Sequence, residues 1–184
     1  MDNHYWKEAY KESWDASSKK EQFVKSIIEK ETGLIVKEIG LGAGSSEFIS
    51  GNAKENQHEK GDADLYIEEI DTYIEVTGPN IPMNKNATLW FRPDKLNNTY
   101  IKTKKNIGKL HILIHVQELK ETSDKLIRCI ILDKVFFERG KNKEFAKVTP
   151  TIRGRQEKYI EIPSDDKSLI ALEDLILYIN NLKK

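Results

Sequence analysis

Apolar and polar positions alternate most sharply in two short stretches, 64–67 and 73–77. In the first, Leu65 and Ile67 alternate with Asp64 and Tyr66. In the second, Ile74 and Val76 alternate with Tyr73, Glu75 and Thr77. Period-two alternation with one apolar face predicts strands buried on one side. A tight loop near Glu69-Ile70 joins them as a hairpin and sets position 64 opposite position 75. Opposed residues of an antiparallel pair have Cβ atoms about 5 Å apart, and like charges there repel. Two carboxylates held that close make most sense with a cation between them, and so point to a metal-dependent site.

Helical periodicity appears elsewhere. Trp6, Tyr10 and Trp14 recur every four residues and predict one helical stripe over residues 1–18, packed on the main body, with stacking on bases as the lesser reading. Ser17-Ser18 punctuates the chain, and Ser18 with Glu21 fits a capping box. A helix over 19–31 would bury Phe23, Val24, Ile27 and Ile28, with Gly33 just beyond its end. A strand over 34–39 follows, broken by Gly40-Leu41-Gly42-Ala43-Gly44, and 50–61 reads as polar loop. After the hairpin, Gly78-Pro79-Asn80-Ile81-Pro82 is turn-rich. Leu89-Trp90-Phe91 predicts a short strand, and Pro93 opens a helix to about residue 105. Strands follow over 111–116 and 126–132, then an irregular basic region over 140–155 and a strand over 159–162 ended by Pro163. The last element is an amphipathic helix over 165–182 with Leu169, Leu172, Ile176 and Ile179 as its stripe. This order predicts an α/β fold, a mixed β-sheet flanked by helices, with residues 1–18 as a helical extension and 19–184 as one domain.

Composition narrows the function. A chain of 184 residues, 38% hydrophobic and 33% charged, is ample for one core with an ionised surface. Thirty basic and thirty acidic residues cancel, so nucleic acid cannot be held by bulk charge and needs local patches. Lys102, Lys104, Lys105 and Lys109 form one candidate; Arg139, Lys141, Lys143, Arg153, Arg155 and Lys158 form another. No run approaches the ~20 apolar residues that cross a bilayer, and the N-terminus lacks the organisation of a secretion signal. The single cysteine, Cys129, reads as a buried strand residue of a protein in a reducing cytoplasm.

Glu21-Gln22-Phe23-Val24 on the opening helix, Gly33, Gly61-Asp62-Ala63-Asp64-Leu65 and Ile74-Glu75-Val76-Thr77 together resemble the PD-(D/E)XK nuclease superfamily, over roughly residues 20–116. The resemblance implies a restriction-endonuclease-like fold and hydrolysis of phosphodiester bonds, in DNA rather than RNA. Carried over by position, Glu21, Asp64 and Glu75 would bind Mg²⁺ or Mn²⁺, with Asp62 as an outer or alternate ligand. Mg²⁺ favours oxygen ligands and retains waters. A water so bound can attack phosphorus while the ion neutralises the phosphoryl oxygens. The chain departs from the motif at its lysine, which is Thr77 here, and a hydroxyl cannot supply a positive charge. Lys95 and Lys102 on the following helix come first as substitutes; Lys60 and Arg92 come second. The resulting expectation is Asp64, Glu75, Thr77 and Lys95 as catalytic groups, and Arg92, Lys102 and Lys104 as contacts to substrate. A symmetric dimer would suit cleavage of both strands.

Two other readings stand beside the nuclease. One is an idle relative that uses the same sheet to bind nucleic acid or a protein. The other is an S-adenosylmethionine-dependent methyltransferase, suggested by a strand running into Gly40, Gly42 and Gly44. The closely spaced hairpin argues against the second, because parallel nucleotide-binding strands need longer crossovers. His111 and His115 would share a strand face with Leu113, and with no carboxylate or thiol companion nearby they read as packed side chains or as edge-of-site residues near the substrate.

Overall fold

The computed structural model describes residues 3–39, 63–152 and 154–183, with the backbone alone for 3–14 and 155. The expectations at Trp6, Tyr10 and Trp14, at the glycines of 40–44, and at His58, Lys60, Asp62, Arg153 and the Arg155 side chain lie outside this description. Within it the chain is mixed α/β. In chain order the elements are α1 (Asn3–Thr32), β1 (Lys37–Glu38), β2 (Leu65–Ile67), β3 (Thr72–Thr77), β4 (Leu89–Phe91), α2 (Pro93–Lys104) and β5 (Leu110–Glu118). They continue with β6 (Lys125–Ile131), α3 (Lys134–Lys141), β7 (Ala146–Val148), β8 (Thr151–Ile152), β9 (Arg155–Gln156), β10 (Tyr159–Ile162), β11 (Ile170–Ala171) and α4 (Leu172–Leu182).

Six strands form a mixed sheet in the order β1-β2-β3-β5-β6-β11. All neighbours are antiparallel except β3 and β5, which run parallel and are joined through β4 and α2. The hairpin register pairs Leu65 with Ile74, Tyr66 with Tyr73 and Ile67 with Thr72. Its turn is closed by the Asp71 N–H donating to the Glu68 carbonyl at 3.1 Å, with Asp71 at φ 47°. One face of the sheet presents Leu65, Ile67, Ile74, Val76, Ile112 and Ile114 to Val24 and Ile28 of α1 and Leu175 and Ile179 of α4. On the other face Leu113 and Ile130 pack with Leu89, Phe91, Phe136 and Ile162, under a second, three-stranded sheet ordered β4-β10-β7. That second face of β3 carries Tyr73, Glu75 and Thr77, in register with His111, Leu113 and His115.

Several expectations change. The helix does not restart at Ser18: α1 runs unbroken through Ser17-Ser18, so no capping box forms. Two serines cost only about 0.5 kcal/mol each in a helix interior, and propagation of a formed helix outweighs that. Gly33 does end it, at φ 69° with its N–H on the Glu29 carbonyl at 2.8 Å. The strand over 34–39 shrinks to β1, an edge pair on β2. α3 was unforeseen; the Asp133 side chain caps it through the Phe136 N–H at 2.8 Å. The irregular region over 140–155 contains β7 and β8. The final helix starts at Leu172 rather than 165, and it buries Leu175 and Ile179. Asp166 accounts for the delay: its carboxylate accepts from the Ser168 N–H (2.9 Å) and hydroxyl (2.6 Å), a local turn that competes with helix. Ile170 and Ala171 then pair with β6. Cys129 is buried on β6 as expected, and burial pushes its thiol up to about 12.

Candidate active site

One place beyond the Leu65–Ile74 pair stand Asp64 and Glu75, and each comes close to the same ammonium. Lys95, in the first turns of α2, places Nζ 3.0 Å from Glu75 and 3.5 Å from Asp64. The Asp64 carboxylate also accepts from the Val76 N–H at 2.8 Å, which ties the two strands together at the mouth of the hairpin. All three side chains are largely enclosed, at 7% exposure for Asp64, 12% for Glu75 and 25% for Lys95. Glu21 approaches from α1, buried, and near enough for its charge to be felt by Glu75 and for Asp64 to be felt by it.

The electrostatics follow from that crowding. Burial, then the charge of Asp64, raises Glu75 well above the carboxylate range, with Lys95 opposing. Burial likewise raises Asp64 against the pull of Lys95 and of the Val76 N–H. Lys95 itself is penalised by burial, but Glu75 and Asp64 outweigh the penalty and hold it above the ordinary lysine value. It is a cation at neutral pH. Among the described residues no group of three or more His, Cys, Asp or Glu is spaced to hold a metal ion; Asp64 and Glu75 stand beside an ammonium instead. Carboxylate oxygens are the donor type that Mg²⁺ takes, but the spacing among the described residues does not gather three such groups.

Glu21 makes stability depend on pH. Burial first, then the charge of Asp64, raises its carboxyl from 4.5 to about 7, with Lys95 opposing. The folded protein keeps a proton that the unfolded chain releases between those values. Its contribution is therefore complete below pH 4.5 and is lost as pH rises through 7. In metal-free buffer, the stability advantage of wild type over Glu21→Gln is expected to fall by about 2 kcal/mol from pH 5 to pH 8, after allowance for solvent screening. Paired urea titrations at the two pH values measure it. Taking the difference cancels His115, whose own shift runs the other way. An advantage that grows with pH would refute the assignment.

The remaining site residues named from sequence scatter. Thr77 lies on the same strand face as Glu75, beside His115 of β5. Arg92 is exposed and held by Asp94, with Nη2 at 2.8 Å and Nε at 3.2 Å. Lys102 lies over the Tyr73 ring, 5.0 Å from its centroid, and Lys104 over Tyr100 at 5.3 Å. The patch expected from Lys102 and Lys104 is therefore divided, because residues two apart on a helix do not share a face. In the second patch Arg139 is committed to Asp166 and Glu144 at 2.7–2.9 Å, a largely buried structural fork. His111 donates from Nε2 to the Ile107 carbonyl at 2.8 Å and stacks on Tyr73. Burial, then the charges of Arg128 and Lys20, pushes His115 down to about 3, so it is neutral and a poor base. Both histidines are buried, packed side chains, one of the two readings their surroundings in sequence left open.

One neighbour was not read from sequence. Lys20 donates from Nζ to the Gly78 carbonyl at 2.8 Å and to Asn80 Oδ1 at 2.6 Å, and burial lowers it to about 8. It pins the end of β3 to α1, and nothing in a local pattern announces that. Tyr73, two places before Glu75, lies on the same face of β3, as the period predicts. No protein-family model matches the chain, and no curated protein matches it. Among the described residues, no helix is long and apolar enough to cross a membrane.

Proposed function

We propose that this chain is a metal-dependent nuclease of restriction-endonuclease-like fold that hydrolyses phosphodiester bonds in DNA. The single observation that carries the reading is Lys95 Nζ at 3.0 Å from Glu75 and 3.5 Å from Asp64. The positive charge that the resembled motif takes from the position of Thr77 comes here from α2. Asp64, Glu75 and Glu21 are the residues that would hold Mg²⁺ or Mn²⁺. When bound, the ion supplies Lewis-acid stabilisation of phosphoryl oxygens and acidifies water.

The chain's own residues do the rest. Lys95, cationic at neutral pH, cannot act as the base. Its ammonium donates hydrogen bonds to charge that develops on the phosphoryl oxygens, in a water-poor site where such a donor is worth most. Glu75 and Asp64 hold that ammonium in place. Thr77, on the same strand face as Glu75, offers a hydroxyl to orient water or phosphate.

With plasmid DNA and Mg²⁺, wild type is expected to cut, and Glu75→Ala to cut ~10²–10³-fold more slowly or not at all. Equal cutting by the variant would remove this site. A second reading, a non-cutting module that binds nucleic acid, is favoured by one observation: the carboxylates are already neutralised by a lysine. Titration with Mn²⁺ separates the two, since an enzyme site should bind the ion through Asp64 and Glu75.

A further inference from the structure

On the flank of α2 turned away from Lys95 lies a cavity of about 700 Å³. Tyr100, Phe137 and Phe145 supply aromatic walls, Lys141, Lys143 and Lys147 line it with them, and no acidic residue does. In a chain whose acidic and basic residues balance at 30 each, a lining with three cations and no anion selects for negative ligands. Tyr100 and Phe137 are half-buried, with ring centroids 5.2 Å apart and planes tilted by 59°. Two ammonium groups, Lys104 and Lys141, each lie 5.3 Å from the centroid of the Tyr100 ring. Lys141 is shared with Glu138 at 2.6 Å. Lys143 and Lys147 have no carboxylate partner among the described residues.

The backbone supplies a second, independent observation. α3 ends in a Schellman motif: the Glu144 N–H bonds the Arg139 carbonyl and the Lys143 N–H the Gly140 carbonyl, both at 3.2 Å. The residue at its left-handed position is Lys143, at φ 60°. Glycine takes that conformation without steric penalty, and a lysine does not. A strained cation at the wall of an aromatic cavity is the kind of local cost that is retained where a side chain is used.

We infer that this cavity receives an unpaired nucleotide of a single nucleic-acid strand. Its base stacks against Tyr100 and Phe137, and the adjoining phosphates meet Lys143 and Lys147. Aromatic faces beside a cationic rim are how sequence-tolerant single-strand grooves are built, and a base still paired and stacked in a duplex could not enter. Pro93, Leu96, Asn97 and Tyr100 of α2 line the cavity, and Lys95 stands on the same turns of that helix, whose diameter with side chains is about 10–12 Å. A strand crossing that helix would place one nucleotide in the cavity and a neighbouring phosphodiester at Lys95. The inference rests on the nucleic-acid reading of the carboxylate site, but its test does not need cutting.

The full chain is titrated in EDTA with a fluorescein-labelled single-stranded oligonucleotide, with the same sequence as a duplex, and with the mononucleotide. Wild type should bind the strand more tightly than either of the others. Tyr100→Leu should weaken strand binding roughly 5- to 160-fold, the range of base–aromatic stacking, and change duplex binding little. Lys143→Gly should weaken strand binding and reduce the salt slope by about 0.7, one phosphate contact, while Tm stays level or rises because strain is relieved. Because that variant is expected to fold at least as well as wild type, it carries the test even if Tyr100→Leu does not fold. Equal affinity for strand and duplex, full binding of the mononucleotide, or an unchanged salt slope in Lys143→Gly would each overturn the inference. If wild type cuts plasmid in a Glu75-dependent way but shows no strand preference, only the cavity assignment falls. If strand binding depends on Tyr100 and Lys143 and no divalent ion elicits cutting, the nuclease reading falls and the cavity stands.

Discussion

Lys95→Met is expected to destabilise the fold by about 3 kcal/mol at pH 7 and to slow DNA cleavage by ~10²–10³-fold. The methionine fills a similar volume without the charge, so the two losses isolate the ammonium. In wild type that ammonium is the cation that Asp64 and Glu75 share. Removing one member of an enclosed charged set leaves the others buried and uncompensated, which is why the estimate exceeds that of a surface ion pair. It sits at the low end of the buried range because Lys95 is itself 25% exposed. The pH dependence has a definite sign. The folded-state pKa of Lys95 is raised, so its contribution is fully present below the unfolded lysine value near 10.5 and is complete at pH 7. In the variant, Asp64 and Glu75 escape their repulsion only by taking up protons. The stability deficit should therefore be largest in alkaline buffer and shrink as pH falls toward 5. Urea titrations of the two proteins at several pH values measure this, and a deficit that is flat with pH would show that Lys95 contributes packing rather than charge.

Gly78→Ala is expected to cost about 3–5 kcal/mol, or to prevent accumulation of folded protein. Gly78 closes β3 immediately after Thr77, where the chain leaves the sheet against the parallel neighbour β5. A Cβ built there would lie 1.9 Å from the Val116 carbonyl oxygen and 2.8 Å from its carbon. Those are backbone atoms in the middle of the sheet and cannot swing away. At φ 145° the position is also one that side chains rarely adopt. The same residue's carbonyl receives Lys20, so a shift of Gly78 would pull on α1, which carries Glu21, and on the end of the strand that carries Glu75. Thermal and urea denaturation measure the loss. An alanine variant within 1 kcal/mol of wild type would mean that β3 and β5 separate more easily than their register suggests.

Much of this architecture was readable from local pattern. The hairpin, its turn and the face shared by Tyr73, Glu75 and Thr77 all follow from period two. The long central strands follow instead from continuous apolar, β-branched runs, while Pro93 and Gly33 mark a helix start and a helix end through backbone geometry alone. Less legible were elements stabilised by contacts distant in sequence. β11 is two residues whose only reason to be extended is Cys129 and Arg128 across from them. α3 depends on one aspartate cap, and β10 belongs to a second sheet because its partners are β4 and β7.

Which residues face one another across a ribbon is decided by the alternation of side chains along each strand, a property that every short segment carries within itself. The pairing of Asp64 with Glu75 was therefore legible in the string of letters. The lysine that answers them was legible as far as α2, with Lys95 named first and Lys102 beside it. Lys95 and Lys102 lie seven residues apart on nearly the same side of α2, so helical phase could not choose between them. Seven residues are also about 10 Å of helix, and the way α2 docks after the crossover from β3 to β5 sets that distance to effect. It leaves Lys95 on the carboxylates and Lys102 over Tyr73. The docking is held by side chains from strands and helices far apart in the chain, and only their packing together could make the choice.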